Sequence, residues 1–310
     1  MFPDPEFVGA KGLRMAVYEQ GTGPAVVLLH GFPELAYSWR HQLPALADAG
    51  YRAIAPDLRG YGRTTVPPAV SDYCMSELIG DVHGLLDALQ LDSATFVGHD
   101  WGALLLWQMA MRAPDRIERL VMLNIPHFPR PPTDPIAIMR ERFGDDFYIV
   151  NFQDSDEADR LFSSDPRRFI NRMMRTNQLT RAQSDALPAK HRVISLIRNM
   201  TQPQASGEPL LTSDELDYYA AAFARAGFSG PINWYRNWTV NWQQLEDVDP
   251  RIRVPTLFIG AEHDVVVDLR YIEAMRPLVD DLTVKMLDCG HWTQQERPRE
   301  VNRLIVDWLA

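Results

Sequence analysis

Residues 94–102 read Ala94-Thr95-Phe96-Val97-Gly98-His99-Asp100-Trp101-Gly102. An apolar run of strand length leads into a Gly-x-Asp-x-Gly pentapeptide. Leu104, Leu105 and Met109 then follow at helical spacing. A strand that turns sharply into a helix lifts the central side chain above the sheet. Glycines on both flanks remove the Cβ atoms that would hold strand and helix apart. The side chain so raised is a carboxylate. In that place it attacks carbon directly and becomes an alkyl ester, which water must then cleave. Such chemistry requires a displaceable group on saturated carbon.

Outward from this turn, short apolar runs alternate with helix-length stretches. Residues 25–30, 52–55, 94–98 and 120–123 are near-continuous apolar segments, as expected for strands covered on both faces. Between them Leu78, Ile79, Val82, Leu85, Leu86 and Leu89 recur with helical period. Residues 7–8 and 13–18 read as an opening hairpin around Lys11-Gly12. The alternation predicts an α/β fold, a doubly wound, mostly parallel sheet of about eight strands. From Pro126 to about Trp242 the pattern is helical, with no convincing strand, and Pro129, Pro131, Pro132 and Pro135 mark the departure. Strand character returns at 256–260 and 282–287, and a terminal helix covers 298–309. The expected organisation is a core of residues 1–126 and 243–310 interrupted by an all-helical cap of residues 127–242. Neither an internal repeat nor a low-complexity tract is found.

The 310 residues suit one α/β domain with a sizeable insertion, and 46% hydrophobic with 23% charged residues is the composition of a globular chain able to bury a core. Forty-one acidic against 31 basic residues give a net charge of −10, which argues against a nucleic-acid or anionic-membrane partner. Cys74 and Cys289 are far apart and in no metal-type spacing, so two reduced thiols are expected rather than a bridge. The opening Met1-Phe2-Pro3-Asp4-Pro5-Glu6 lacks the features of a signal peptide, and no apolar run approaches the length of a membrane span. The expectation is a cytoplasmic protein with no membrane association.

Two later segments add to the turn at Asp100. Gly260-Ala261-Glu262-His263-Asp264 places an acid at the carboxyl end of one strand, and Asp288-Cys289-Gly290-His291-Trp292 places a histidine after the last. Catalytic groups of open α/β sheets gather at these strand ends. Asp100, Asp264 and His291 therefore form a candidate triad of nucleophile, orienting acid and general base. His263 is read as a loop histidine, because neighbouring side chains in an extended segment point opposite ways. His99 is read as pointing into the sheet. Asn124 stands where an acid is possible, but an amide cannot stabilise imidazolium. Two backbone N–H groups, of Trp101 and of Phe32 in His30-Gly31-Phe32-Pro33-Glu34, are the candidate oxyanion hole; Pro33 has no N–H to give.

His-Gly-Phe-Pro-Glu, Gly-His-Asp-Trp-Gly and Cys-Gly-His-Trp-Thr-Gln together resemble the epoxide hydrolases of the α/β-hydrolase superfamily, in particular the soluble type that includes the C-terminal hydrolase domain of the mammalian enzyme. The likeness covers nearly the whole chain, so no N-terminal phosphatase domain is expected. It implies hydration of epoxides to vicinal diols through an aspartyl ester, in a role such as detoxification, with no metal and no organic cofactor. It further implies two cap tyrosines that hydrogen-bond the epoxide oxygen. Tyr148, four residues before Phe152-Gln153, and Tyr235 in Asn233-Trp234-Tyr235-Arg236-Asn237 match. Trp234, Trp238 and Trp242 form one packing stripe on a helix, and Tyr235 is rotated about 100° from Trp234. Phe32, Trp101, Phe152 and Trp292 are expected to line an apolar slot favouring neutral lipophilic epoxides. Glu34 is a candidate for positioning the hydrolytic water, or else a first-turn helical carboxylate. The partners are then the epoxide and water, and an exposed cap offers a surface for a homodimer.

Haloalkane dehalogenases share the Asp-Trp turn and are the alternative. They hold the departing halide with two side-chain N–H donors, whereas Phe32 has none to offer and the Trp101 indole would be half a site. A third reading, a non-catalytic ligand-binding member of the fold, has no use for a base opposite a carboxylate.

Overall fold

A computed structural model describes residues 2–176, 179–188, 192–266 and 269–310. Lys11 and Gly12, at φ of 46° and 83°, turn β1 (Glu6–Ala10) back against β2 (Leu13–Gln20) as an antiparallel hairpin. The chain continues through β3 (Ala25–Leu29), β4 (Arg52–Pro56), β5 (Ala94–His99) and β6 (Ile117–Leu123). After the insertion, which carries the two-residue strands β7 (Arg175–Thr176) and β8 (Glu208–Pro209), it rejoins the sheet as β9 (Thr256–Ala261) and β10 (Leu282–Leu287). The eight-stranded sheet has the order β1-β2-β4-β3-β5-β6-β9-β10. β2 pairs antiparallel with β4, and every pair from β4 to β10 is parallel.

Parallel strands need helical crossovers, and these cover both faces. Helices α2 (Met75–Ala88) and α3 (Trp101–Arg112) pack with Val27, Leu29 and Phe96. On the other face α1 (Gln42–Asp48) and the terminal helix 298–309 pack with Val26, Leu28, Val97 and Val121. Successive strand residues thus feed opposite layers, which is why the strands read as unbroken apolar runs rather than as alternation.

Between Leu123 and Thr256 the chain leaves the sheet. Helices α4 (Pro135–Phe143), α5 (Tyr148–Asp154), α6 (Glu157–Ser164), α7 (Pro166–Met173), α8 (Arg181–Ala186), α9 (Leu196–Thr201), α10 (Ser213–Ala226), α11 (Ser229–Arg236) and α12 (Trp238–Gln243) lie over the carboxyl ends of the strands. Asp-Pro pairs open α4 and α7: Asp134 accepts from Ile136 N–H, and Asp165 from Arg168 N–H. The insertion is clamped to the core by Ser38 with Tyr219, Arg40 with Glu215, and the Trp234 indole on the Arg59 carbonyl.

Two features depart from the sequence reading. β7 and β8 form a small antiparallel ribbon inside a segment expected to be wholly helical; two residues per strand are too few to show a period. The expected single helix through Trp234 and Trp242 is broken at Asn237. Its side chain donates to the carbonyls of Val70 (2.6 Å) and Asn233 (2.8 Å), and this local bonding competes with continued helix.

Candidate active site

Asp100 sits between β5 and α3 with φ 51° and ψ −118°, a conformation that ordinary side chains avoid. The strain is held in place by packing on either side. A Cβ on Gly102 would lie 2.1 Å from the Leu29 carbonyl oxygen, and one on Gly31 would lie 2.4 Å from the Asp100 Cβ. Only glycine at these positions lets β3, the loop after it and the turn at Asp100 close together.

The two oxygens of Asp100 have different surroundings. Oδ1 accepts from the Phe32 N–H at 2.8 Å, whereas Oδ2 faces His291 Nε2 at 3.8 Å. Trp101 opens α3, where N–H groups have no acceptor within the helix. His291 Nδ1 lies 2.8 Å from Asp264 Oδ2, which also accepts from Asn124 Nδ2 at 2.7 Å, and Asp264 Oδ1 accepts from Val266 N–H. Burial alone would lower the His291 pKa. The charge and hydrogen bond of Asp264, and then the charge of Asp100, outweigh it and raise the imidazolium to about 9. Burial likewise works to raise Asp264, but His291 and the Asn124 and Val266 donors carry it below its ordinary value. Asn124, discounted as an acid, thus has a place as the amide that fixes the acid.

Tyr148, at the start of α5, and Tyr235, near the end of α11, come together with ring centroids 5.6 Å apart. Both phenols are pushed well above their ordinary pKa. Burial is the first cause in each, and the negative charge of Asp100 adds to it. A cavity of about 480 Å³ is lined at its inner end by Phe32, Asp100, Tyr148, Tyr235, His291 and Trp292. That is the size of a small-molecule site. Its outer rim carries the exposed Leu179, Val265 and Val266. Phe152 and Trp101 stand one layer behind this surface, their rings 5.2 Å and 4.9 Å from Tyr235. Trp238 completes that layer, 5.1 Å from Trp101. Trp234, four residues earlier, packs on the same Trp101 ring at 5.7 Å, so these two members of the expected tryptophan stripe do share a face.

Glu34 is fully buried in a turn before a 3-10 segment (Ala36–Trp39), so it does not stand in the first turn of an α-helix. Its oxygens accept from Gly31 N–H, Gln294 and Gln295, and Oε2 lies 2.6 Å from His99 Nδ1. His99 Nε2 is 2.8 Å from the His291 carbonyl oxygen, which can only accept, so Nε2 carries a hydrogen. Burial opposes the Glu34 charge, yet His99 and the surrounding donors lower its pKa to about 2. The pair joins the loop after β3, the end of β5 and the histidine loop in a single buried network. His263 Nε2 donates to Asp288 Oδ1 (2.9 Å) on the rim. With Glu262 these two make the one group among the described residues whose ligand atoms are close enough for a metal ion, and it lies outside the Asp100–His291 centre.

A sheet of this order, a strained strand-to-helix turn carrying Asp100 after β5, and Asp264 and His291 after β9 and β10 define a class, and residues 24–298 match the family model described as the alpha/beta hydrolase fold. The chain belongs to that family. Epoxide hydrolase A of Mycobacterium tuberculosis is 39% identical, across 99% of this chain and 98% of its own. The bifunctional epoxide hydrolase 2 of Sus scrofa is 35% identical over 96% of this chain and 53% of its own length. The crystal structure of epoxide hydrolase A from Mycobacterium thermoresistibile superposes with a TM-score of 0.89 at 40% identity, covering 99% and 98% of the two chains. Within the α/β hydrolases the chain is a member of the epoxide hydrolases, and it catalyses epoxide hydrolysis. No helix among the described residues is long and apolar enough to cross a membrane.

Proposed function

We propose that the reaction runs through an ester on Asp100 and that residues 127–242 act as a cap over a core of residues 1–126 and 243–310. Oδ2, free of donors, attacks an epoxide carbon from behind. The carbon–oxygen bond of the ring breaks, and the departing oxygen takes a proton from the pair Tyr148 and Tyr235. Their raised pKa values keep both phenols protonated through neutral pH, and such general-acid help is commonly worth about a hundred- to ten-thousandfold. Oδ1 becomes the ester carbonyl oxygen, already on the Phe32 N–H. His291, oriented by Asp264, then removes a proton from water as that water adds to the acyl carbon. The N–H groups of Phe32 and Trp101 hold the oxyanion, each donor contributing about 3 kcal/mol. Collapse breaks the bond between the acyl carbon and Oδ2, His291 returns its proton to that leaving oxygen to release the vicinal diol, the second water proton restores the phenol, and Asp100 keeps one oxygen from water.

Loss of the Asp100 charge on esterification also removes one of the causes that keep His291 protonated. The base is thereby freed at the step that needs it.

The observation that carries this reading is the unequal setting of the two Asp100 oxygens, one on the Phe32 N–H at 2.8 Å and one open toward His291. The aromatic inner cavity supports neutral lipophilic epoxides as substrates, and the two free cysteines fit a cytoplasmic protein. The test is mass spectrometry of His291→Gln after mixing with an aryl epoxide. The peptide containing Asp100 is expected to gain the mass of the substrate. Its absence in protein shown to bind the epoxide refutes the covalent route.

A further inference from the structure

Asp264 orients the His291 side chain and His99 holds the His291 carbonyl, which leaves the peptide N–H groups on either side of the residue to be accounted for. The segment Gly290-His291-Trp292 is an irregular loop after β10, and a base displaced by a fraction of an ångström loses its water. One carboxylate brackets that loop. Glu296, in the short helix α14 (Thr293–Glu296; the core helix α13 spans Arg270–Met275), accepts from Gly290 N–H on Oε2 at 3.0 Å. Its Oε1 accepts from Trp292 N–H at 3.1 Å. The peptide N–H groups immediately before and after the base residue are thus satisfied by one side chain. The residue's own carbonyl is held by His99 from below.

The same carboxylate reaches the cap. Oε2 also accepts from the Thr176 hydroxyl of β7 at 2.9 Å, and the Trp292 indole donates to the Met173 carbonyl of α7 at 2.9 Å. Gly290 is fitted to this arrangement, since a Cβ there would stand 2.9 Å from Glu296 Oε1. Glu296 also faces the cavity, with Thr176 and His291.

We infer that Glu296 is a positioning residue for the second half-reaction: it holds the His291 loop in register with the Asp100 ester and ties that register to the cap through Thr176. The inference rests on the covalent reading given above. Glutamine is the informative replacement because it keeps the size but turns one acceptor oxygen into an NH2 group facing an N–H donor. Ring opening uses Asp100, Tyr148 and Tyr235, none of which Glu296 touches, so the two half-reactions should respond differently.

The experiment is a rapid-quench single turnover with an aryl epoxide, following ester on the Asp100 peptide by mass spectrometry in the parent, Glu296→Gln and Glu296→Asp. In E296Q ester formation is expected within about threefold of the parent, while ester hydrolysis slows about ten- to a hundredfold, part of what a positioned base contributes. Ester should accumulate during steady turnover. E296D, which keeps two acceptor oxygens, should hydrolyse the ester faster than E296Q. Partial misfolding lowers the amplitude of both phases and leaves their rates alone, so it is told apart from the expected result. Equal slowing of both half-reactions, unchanged ester hydrolysis in E296Q, or E296D slower than E296Q would each overturn the inference while the covalent reading stands. No ester in parent or variant would remove both.

Discussion

Replacing Asp100 with asparagine keeps the shape of the nucleophile and removes its charge, as esterification does. His291 Nε2 and Asp100 Oδ2 are 3.8 Å apart, with only 16% and 10% of the two side chains exposed. At an effective dielectric of about 20, unit charges at that distance attract by about 4 kcal/mol. At about 1.4 kcal/mol per pH unit, this is an upper bound of about three units on the midpoint of His291. Asp264 is the larger source of the raised pKa, so the expected fall in D100N is about one to two units from the value of about 9. The sign follows from the charge: an anion beside the imidazolium favours the protonated form, and its loss lets the proton leave at lower pH. The assay is NMR titration of the His291 ring nitrogens in the parent and D100N. A midpoint in D100N that stays within about 0.3 units of the parent, or that rises, refutes the idea that ester formation frees the base. In turnover, the acid limb of kcat limited by ester hydrolysis should lie below the midpoint of the free enzyme, because the group that titrates there faces a neutral ester.

Tyr148→Phe and Tyr235→Phe should each slow ester formation about tenfold or more, and the double variant should lose ring opening while its circular dichroism stays that of the parent. Turnover retained in the double variant would remove the assigned role. Asn124→Ala takes away the 2.7 Å donor to Asp264 Oδ2 and should slow ester hydrolysis about tenfold without changing ester formation, read in the same quench experiment. Gly102→Ala drives a Cβ against the Leu29 carbonyl and should lower stability by about 1–3 kcal/mol in chemical denaturation. An unchanged midpoint there would mean that the turn adjusts freely. With a dibromoalkane the parent should release no bromide at a rate comparable with diol formation from an aryl epoxide, since Phe32 supplies no second halide donor.

That Asp100, Asp264 and His291 stand at strand ends was legible in the chain because each follows an apolar run, and local spacing suffices to show a strand that ends on a polar side chain. The same holds for the sheet: β10 and the terminal helix appear with their sequence bounds, β3 ends one residue early, and the remaining core strands run about one to three residues longer. The insertion between β6 and β9 was legible as helices but not as packing. Nothing local reveals that Asn237 turns its amide to the carbonyl of Val70, 167 residues away, where the helix breaks. Which Asp100 oxygen is free, what holds Asp264, and how Glu34 and Glu296 are engaged are equally long-range matters. A buried carboxylate and an exposed one are spelled alike. Periodicity encodes which face of an element is apolar, whereas the partner of a polar group is set by whatever the fold brings within about 3 Å of it, and that only the folded chain decides.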